Sequence, residues 1–267
     1  EVDKTQRAAA AEAARLWGEA SEAGESPYLK RKRVQGHGVR HAAGGWLLVP
    51  LRDAAGELWN VQRIAPERPA DGRDKFFSKG GRKSGLWHAI GEWKNAPAIL
   101  VCEGYATGAS LHEATGRPVA VAFDAGNLAS VARELRRLRP TAWLAICGDD
   151  DRDTKAKTGR NPGREKAQAA VKEIHKRAVA ILPEGLPEGA SDFNDLLQAA
   201  GLDAVRECIE AALTAAMQAR QQDVGEAARG EQRPTPEDVP AGRDSSDSGT
   251  GAAWPDRFTV NDEGVWY

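Results

Sequence analysis

AILVCEG (98–104) and TAWLAICGDDD (141–151) decide the fold. Each is a short apolar run that stops abruptly at carboxylates: Glu103 in the first, Asp149, Asp150 and Asp151 in the second. Around them, helical and extended patterns alternate. ATGASLHEATG (106–116) reads as a helix, PVAVAFD (118–124) as a strand and LASVARELRRLRP (128–140) as a helix. GREKAQAAVKEIHKRA (163–178) reads as another helix and VAILPEG (179–185) as a fourth strand. Strands alternating with helices of this length predict βαβ units and a mostly parallel sheet. In such sheets function collects at the carboxyl ends of the strands, where Glu103 and the aspartate run are placed.

Outward from this region the pattern changes. TQRAAAAEAARLWGEA (5–20) is an alanine-rich helix with Leu16 and Trp17 on one side. GGWLLVPLRDAAGELWNVQRI (44–64) is a β-hairpin about the turn signal DAAG. Residues 66–83 are polar, basic and glycine-rich, a loop holding KFF as a short strand. From Ser191 the chain turns into helices, and from Met217 to about Ala253 its composition falls to Gln, Glu, Gly, Pro, Ser and Asp, as in a linker. WPDRFTVNDEGVWY (254–267) regains aromatics. The expected organisation is an N-terminal subdomain (1–95), an α/β domain (96–215), a disordered linker (216–253) and the opening of a further domain (254–267). The initial Glu1 and the unfinished last pattern lead to the expectation that this is a piece of a longer chain.

Composition excludes several classes. The 267 residues carry a net charge of −2, and no apolar run approaches the roughly 20 residues of a membrane helix. The first ten residues lack the pattern of a signal peptide. Cys102, Cys147 and Cys208 form no C-x-x-C pair and are expected as reduced core thiols of a cytoplasmic protein, not as a zinc ribbon or disulfide framework. His37, His41 and His88 fit no metal spacing, and Trp46, Trp59, Trp87 and Trp93 are read as packing residues. No G-x-x-x-x-G-K-[ST] occurs.

The strand-end acids carry the chemistry. In an extended segment alternate residues face one way, so Asp149 and Asp151 are expected on one side together. With Glu103 they supply the few carboxylate oxygens that Mg²⁺ or Mn²⁺ accepts beside water and phosphate. Either acidic run alone is more often a solvated loop; both together, at strand ends of one sheet, favour a metal site for phosphoryl transfer.

At these residues the sequence resembles the Toprim domain. The features keep their order: ILVCEGYATG (99–108), LAICGDDDRD (144–153), the helix start at Gly163–Ala167 and SDFNDLL (191–197). The resemblance implies Glu103, Asp149 and Asp151 as catalytic, metal-coordinating carboxylates, with Asp192 as a further ligand. Asp195 lies in the same D-x-D-x-L-like segment. DTKAKTGRNP (153–162) is an insert absent from the usual pattern.

Upstream, SPYLKRKRV (26–34), LLVPLRDAAGELWNVQRI (47–64) and DKFFSKGGRKSGLW (74–87) resemble the N-terminal subdomain of DnaG-type primase cores. That resemblance implies a DNA primase core of a plasmid, phage or integrative-element primase–helicase. Arg63, Lys75 and Lys79 would contact template phosphates or nucleoside triphosphates, joined by Lys30, Arg31 and Arg152 from the other basic clusters. Each alone is about as readily a solvating surface charge. The implied partners are single-stranded DNA, nucleoside triphosphates and a helicase domain in the same longer chain, to which the tail bears a short likeness. A topoisomerase would need a nucleophilic tyrosine, and Tyr28, Tyr105 and Tyr267 stand in no such setting. Two alternatives stay open: a Toprim nuclease using the same acids, and a non-catalytic module docking DNA or a partner onto a helicase.

Overall fold

The computed structural model describes residues 4–70 and 72–230, with side chains described up to 223. Helix α1 (Lys4–Glu19) is followed by α2 (Pro27–Lys32), which starts where the Ser26 side chain accepts from the Leu29 N–H and Pro27 needs no donor partner. β1 (Arg40–Ala42), β2 (Trp46–Arg52), β3 (Leu58–Ile64) and β4 (Lys75–Phe77) then form an antiparallel sheet in that order. The expected hairpin is β2–β3. Its turn is fixed by Asp53, whose carboxylate accepts from the Ala55 and Glu57 N–H groups and from Trp59 Nε1.

The second sheet takes the order β5-β7-β6-β8-β9: β5 (His88–Ile90), β6 (Ala98–Cys102), β7 (Val119–Val121), β8 (Trp143–Cys147) and β9 (Ala178–Ile181). β7, β6, β8 and β9 run parallel, and β5 adds an antiparallel edge. Every residue of β6 and β7 is buried, which explains their unbroken apolar runs. The connecting helices are α3 (Tyr105–Thr115), α4 (Leu128–Leu138), α5 (Arg152–Thr158) and α6 (Pro162–Ile174). The α/β class, with an α+β N-terminal part and a mostly parallel sheet, is as the sequence led us to expect. β5 and α5 are additions; the first is too short to show a period, and the second lies in the insert.

α7 (Phe193–Gly230) is broken at Gly201, which takes φ 87°. It runs on to Gly230, into the stretch whose composition suggested linker. The rest of that stretch and residues 254–267 lie outside the described residues. The chain up to Gly225 packs as one unit. A shared core runs from Tyr28, Leu47 and Leu51 through Leu100, Tyr105 and Val121 to Phe193, Ile209 and Leu213. Polar ties reinforce it. His88 Nε2 lies 2.8 Å from the His37 carbonyl, His37 Nε2 lies 2.8 Å from Glu113, and the Tyr105 hydroxyl accepts from the His37 N–H at 2.7 Å. Those histidines therefore join the loop ahead of β1 to β5 and α3. Cys102 and Cys147 are buried and all three thiols are free.

Candidate metal and nucleotide site

Glu103 leaves the end of β6 and Asp149 lies just beyond the end of β8, the neighbouring parallel strand. The topology thus brings the two acidic runs side by side. Burial, then the charges of Glu103, Asp192 and Asp151, push Asp149 up to about 8, with Lys75 opposing them. Burial also raises Glu103; Lys75 opposes it, and Asp124, Asp151 and Asp192 add to it. One Asp149 oxygen, Oδ1, is buried with no hydrogen-bond partner. These carboxylates repel one another in a half-dry setting, with Lys75 as the opposing cation.

The middle aspartate does something different. Asp150 accepts from Asn161 Nδ2 at 2.7 Å and lies beside Arg164 (3.5 Å) and Arg152 (3.7 Å). Its N–H donates to the Ser191 carbonyl at 2.7 Å, fastening the loop to the segment that holds Asp192. Asp151 Oδ2 accepts from the Gly163 N–H at 2.8 Å, at the start of α6. Asp192 caps α7: its Oδ1 accepts from the Asp195 N–H (2.8 Å), while Asp195 accepts from the N–H groups of Ser191 and Asp192. Asp192 therefore spends one oxygen on the cap and still adds its charge to the group.

The basic residues separate. Directly opposed residues of an antiparallel pair share a face, so Lys75 sides with Ile64 and Phe76 sides with Arg63. Lys75 is the cation felt by both Glu103 and Asp149. Arg63 lies on the other face, where α1 packs on β3, and with Lys79, Glu12 and Thr5 it lines a cavity of about 390 Å³. Lys30 pairs with Glu25 at 2.5 Å, and Arg31 donates to the Pro66 carbonyl at 2.9 Å. Arg152 is spent on the carbonyls of Leu186, Pro187 and Ala190. Of the six cations singled out from the sequence, Lys75 is the one felt by Glu103 and Asp149, while Arg152 lies beside Asp150.

Residues 98–203 match the family model of the Toprim domain. This segment is a Toprim domain. Over 159 residues the chain is 40% identical to an Escherichia coli protein named DNA primase TraC, an alignment covering 58% of this chain and 14% of that relative. A second E. coli relative of the same name is 38% identical over 159 residues, with 11% of its length covered. The chain thus spans about a seventh or less of these relatives. In fold it is similar to a DnaG primase catalytic domain bound to single-stranded DNA (TM-score 0.54, 16% identity, 82% of this chain and 84% of that one). It is also similar to the primase fragment of the bacteriophage T7 primase–helicase (TM-score 0.52, 13% identity, 72% and 77%).

Two residues of the Toprim domain escaped the sequence reading. Asp124 ends PVAVAFD, adds its charge to Glu103, caps the following turn through the Asn127 N–H and pairs with Lys83 at 3.1 Å. Its strand-end position was the signal. Asn161 gave none, because its partners become neighbours only in the folded loop.

Among the described residues no three His, Cys, Asp or Glu side chains close into a ready-made metal cage. The Toprim residues nevertheless fit a hard divalent cation. The donors are all oxygen, Asp149 Oδ1 lacks a partner, and Asp149 and Glu103 are held high by burial and then by the charge of neighbouring carboxylates. Such a cation accepts a few carboxylates and completes its shell with water and phosphate oxygens.

Proposed function

We propose that this chain is a DNA primase core, joining nucleotides on a single-stranded DNA template. One observation carries the reading. In a Toprim domain the strand-end acids Glu103, Asp149 and Asp151 feel one another's charge, and Lys75 of the antiparallel sheet is the cation that opposes it at Glu103 and Asp149. The 40% identity to a protein named DNA primase supports the same reading.

Glu103, Asp149 and Asp151 would hold Mg²⁺ or Mn²⁺, with Asp192 beside them. A bound cation there supplies Lewis-acid neutralisation of charge on the phosphoryl group in transfer. The chain's own residues do the rest. Lys75, exposed on the short edge strand β4, offers a mobile ammonium to a triphosphate as it meets the acids. Burial and crowding keep Asp149 poised to exchange a proton for a cation. The backbone of Gly163 and the cap on Asp192 hold the acids in place, so the site is organised before substrate arrives. Template strand, nucleoside triphosphates, a helicase domain in a longer chain and a cytoplasmic setting complete the proposal. No described helix is long and apolar enough to cross a membrane.

The test is incubation with single-stranded DNA, labelled nucleotides and Mg²⁺ or Mn²⁺, beside a chain carrying D149A and D151A. Short labelled oligonucleotides from the parent alone are the expected result. Degraded DNA would make the site a nuclease, and binding without either product would make it a docking module.

A further inference from the structure

The acidic loop and the insert after it meet at a single buried side chain. Asn161 ends the insert, is 5% exposed and makes three links. Its Nδ2 donates to Asp150 Oδ1 at 2.7 Å, while its Oδ1 accepts from the Asp151 N–H at 3.2 Å and from the Arg164 N–H at 3.1 Å. One planar amide thus spans the middle aspartate, the backbone of the outer aspartate and the first turn of α6.

Next to it, Gly163 donates to Asp151 Oδ2, and a β-carbon at Gly163 would stand 2.3 Å from the Asp149 carbonyl oxygen. The start of α6 therefore touches all three aspartates: Asp149 by backbone contact, Asp150 through the Asn161 amide, and Asp151 through both. The insert itself is solvent-facing throughout α5. Asn161 is the buried side chain by which the end of that exposed segment is tied back to the acidic loop.

We infer that Asn161 is the positioning residue of this metal site. It ties Asp150 to the start of α6, so that Asp149 and Asp151 are presented together, and it anchors their spacing at the end of the exposed insert. The inference rests on the metal-site reading above. Groups that orient ligands from behind commonly set metal affinity by about 10- to 100-fold, and Asn161 acts by the same physics, through Asp150 and the Asp151 backbone.

Asn161 also caps α6, so two variants separate the roles. Ser at this position keeps an acceptor for the cap but is too short to donate to Asp150; Ala removes both. The measurements are Mn²⁺ titration by calorimetry and melting temperature without metal, on the full chain. N161S is expected to melt close to the parent yet bind Mn²⁺ about 10-fold more weakly, and N161A to lose melting temperature as well. In turnover, N161S should raise the Mn²⁺ concentration for half-maximal activity while leaving the saturated rate nearly unchanged. Parent-like Mn²⁺ binding by N161S would reduce Asn161 to a helix cap and overturn the inference. A parent chain that binds no Mn²⁺ would contradict the metal-site reading itself, and this inference with it.

Discussion

At Asp149 the folded chain gives up stability as the pH rises. Its carboxyl is pushed from 3.8 up to about 8 by burial and by its neighbours' charge. A group whose pKa rises on folding binds more protons folded than unfolded, so stability falls as pH rises between those values. The contribution is fully present below about pH 4 and is lost as pH passes about 8. The metal-free chain should therefore melt lower at pH 8 than at pH 6, and D149N should flatten that slope and raise the melting temperature at pH 8. Melting curves of both across this window check it; an unchanged slope in D149N would refute the assignment. Gly163 makes a second prediction. A methyl group there meets the Asp149 backbone at 2.3 Å, so G163A should cost about 1–3 kcal/mol in chemical denaturation and weaken Mn²⁺ binding. Glu103 and the outer aspartates were legible in the sequence, because a carboxylate straight after a buried apolar run has few places to go. The brace was not, because Asp150 and Asn161 are 11 residues apart and only the loop's closure joins them.

Among elements, β3 and β4 sort the cations. Arg63 and Lys75 come from a loop-linked pair of strands, and only the register, Ile64 against Lys75, places them on opposite faces. A two-residue turn would have made that register readable, but the connection here spans residues 65–74 and fixes no pairing. The hairpin β2–β3 was readable for the opposite reason, since the short turn signal DAAG separates two β-rich runs. Lys75→Ala should raise the KM for nucleoside triphosphate about 10- to 100-fold, the loss of one charge-assisted contact of about 1.5–3 kcal/mol. Arg63→Ala should leave that KM near the parent value and act on the packing of α1. Steady-state kinetics of the two variants side by side decide it; equal KM effects would place both cations at one site.

For the whole molecule, one core is shared by both sheets, and α7 closes it. Phe193, Leu196, Val205, Ile209 and Leu213 are buried there, Arg117 forks onto Glu210 at 2.7 Å, and Asn194 donates to Ser110 and to the Lys32 carbonyl. Each large side chain is worth about 2–5 kcal/mol against a total stability of about 5–15. A chain ending at Asp192 should therefore fail to show a cooperative melt, whereas one ending near Gly225 should melt like the parent. The helices expected over 191–215 are present in α7, but their role in closing the core was not read from the sequence. The continuation to Gly230 was hidden, because Gln- and Glu-rich sequence serves a solvated helix and a linker alike. Glu103, Asp149 and Asp151 are proposed to share a divalent cation. The most direct measurement is an anomalous difference map from crystals of the chain grown with Mn²⁺ and a nucleoside triphosphate. A peak bounded by those three carboxylates, with the triphosphate reaching toward Lys75, is the predicted result; a peak held elsewhere, or none at those acids, would contradict it.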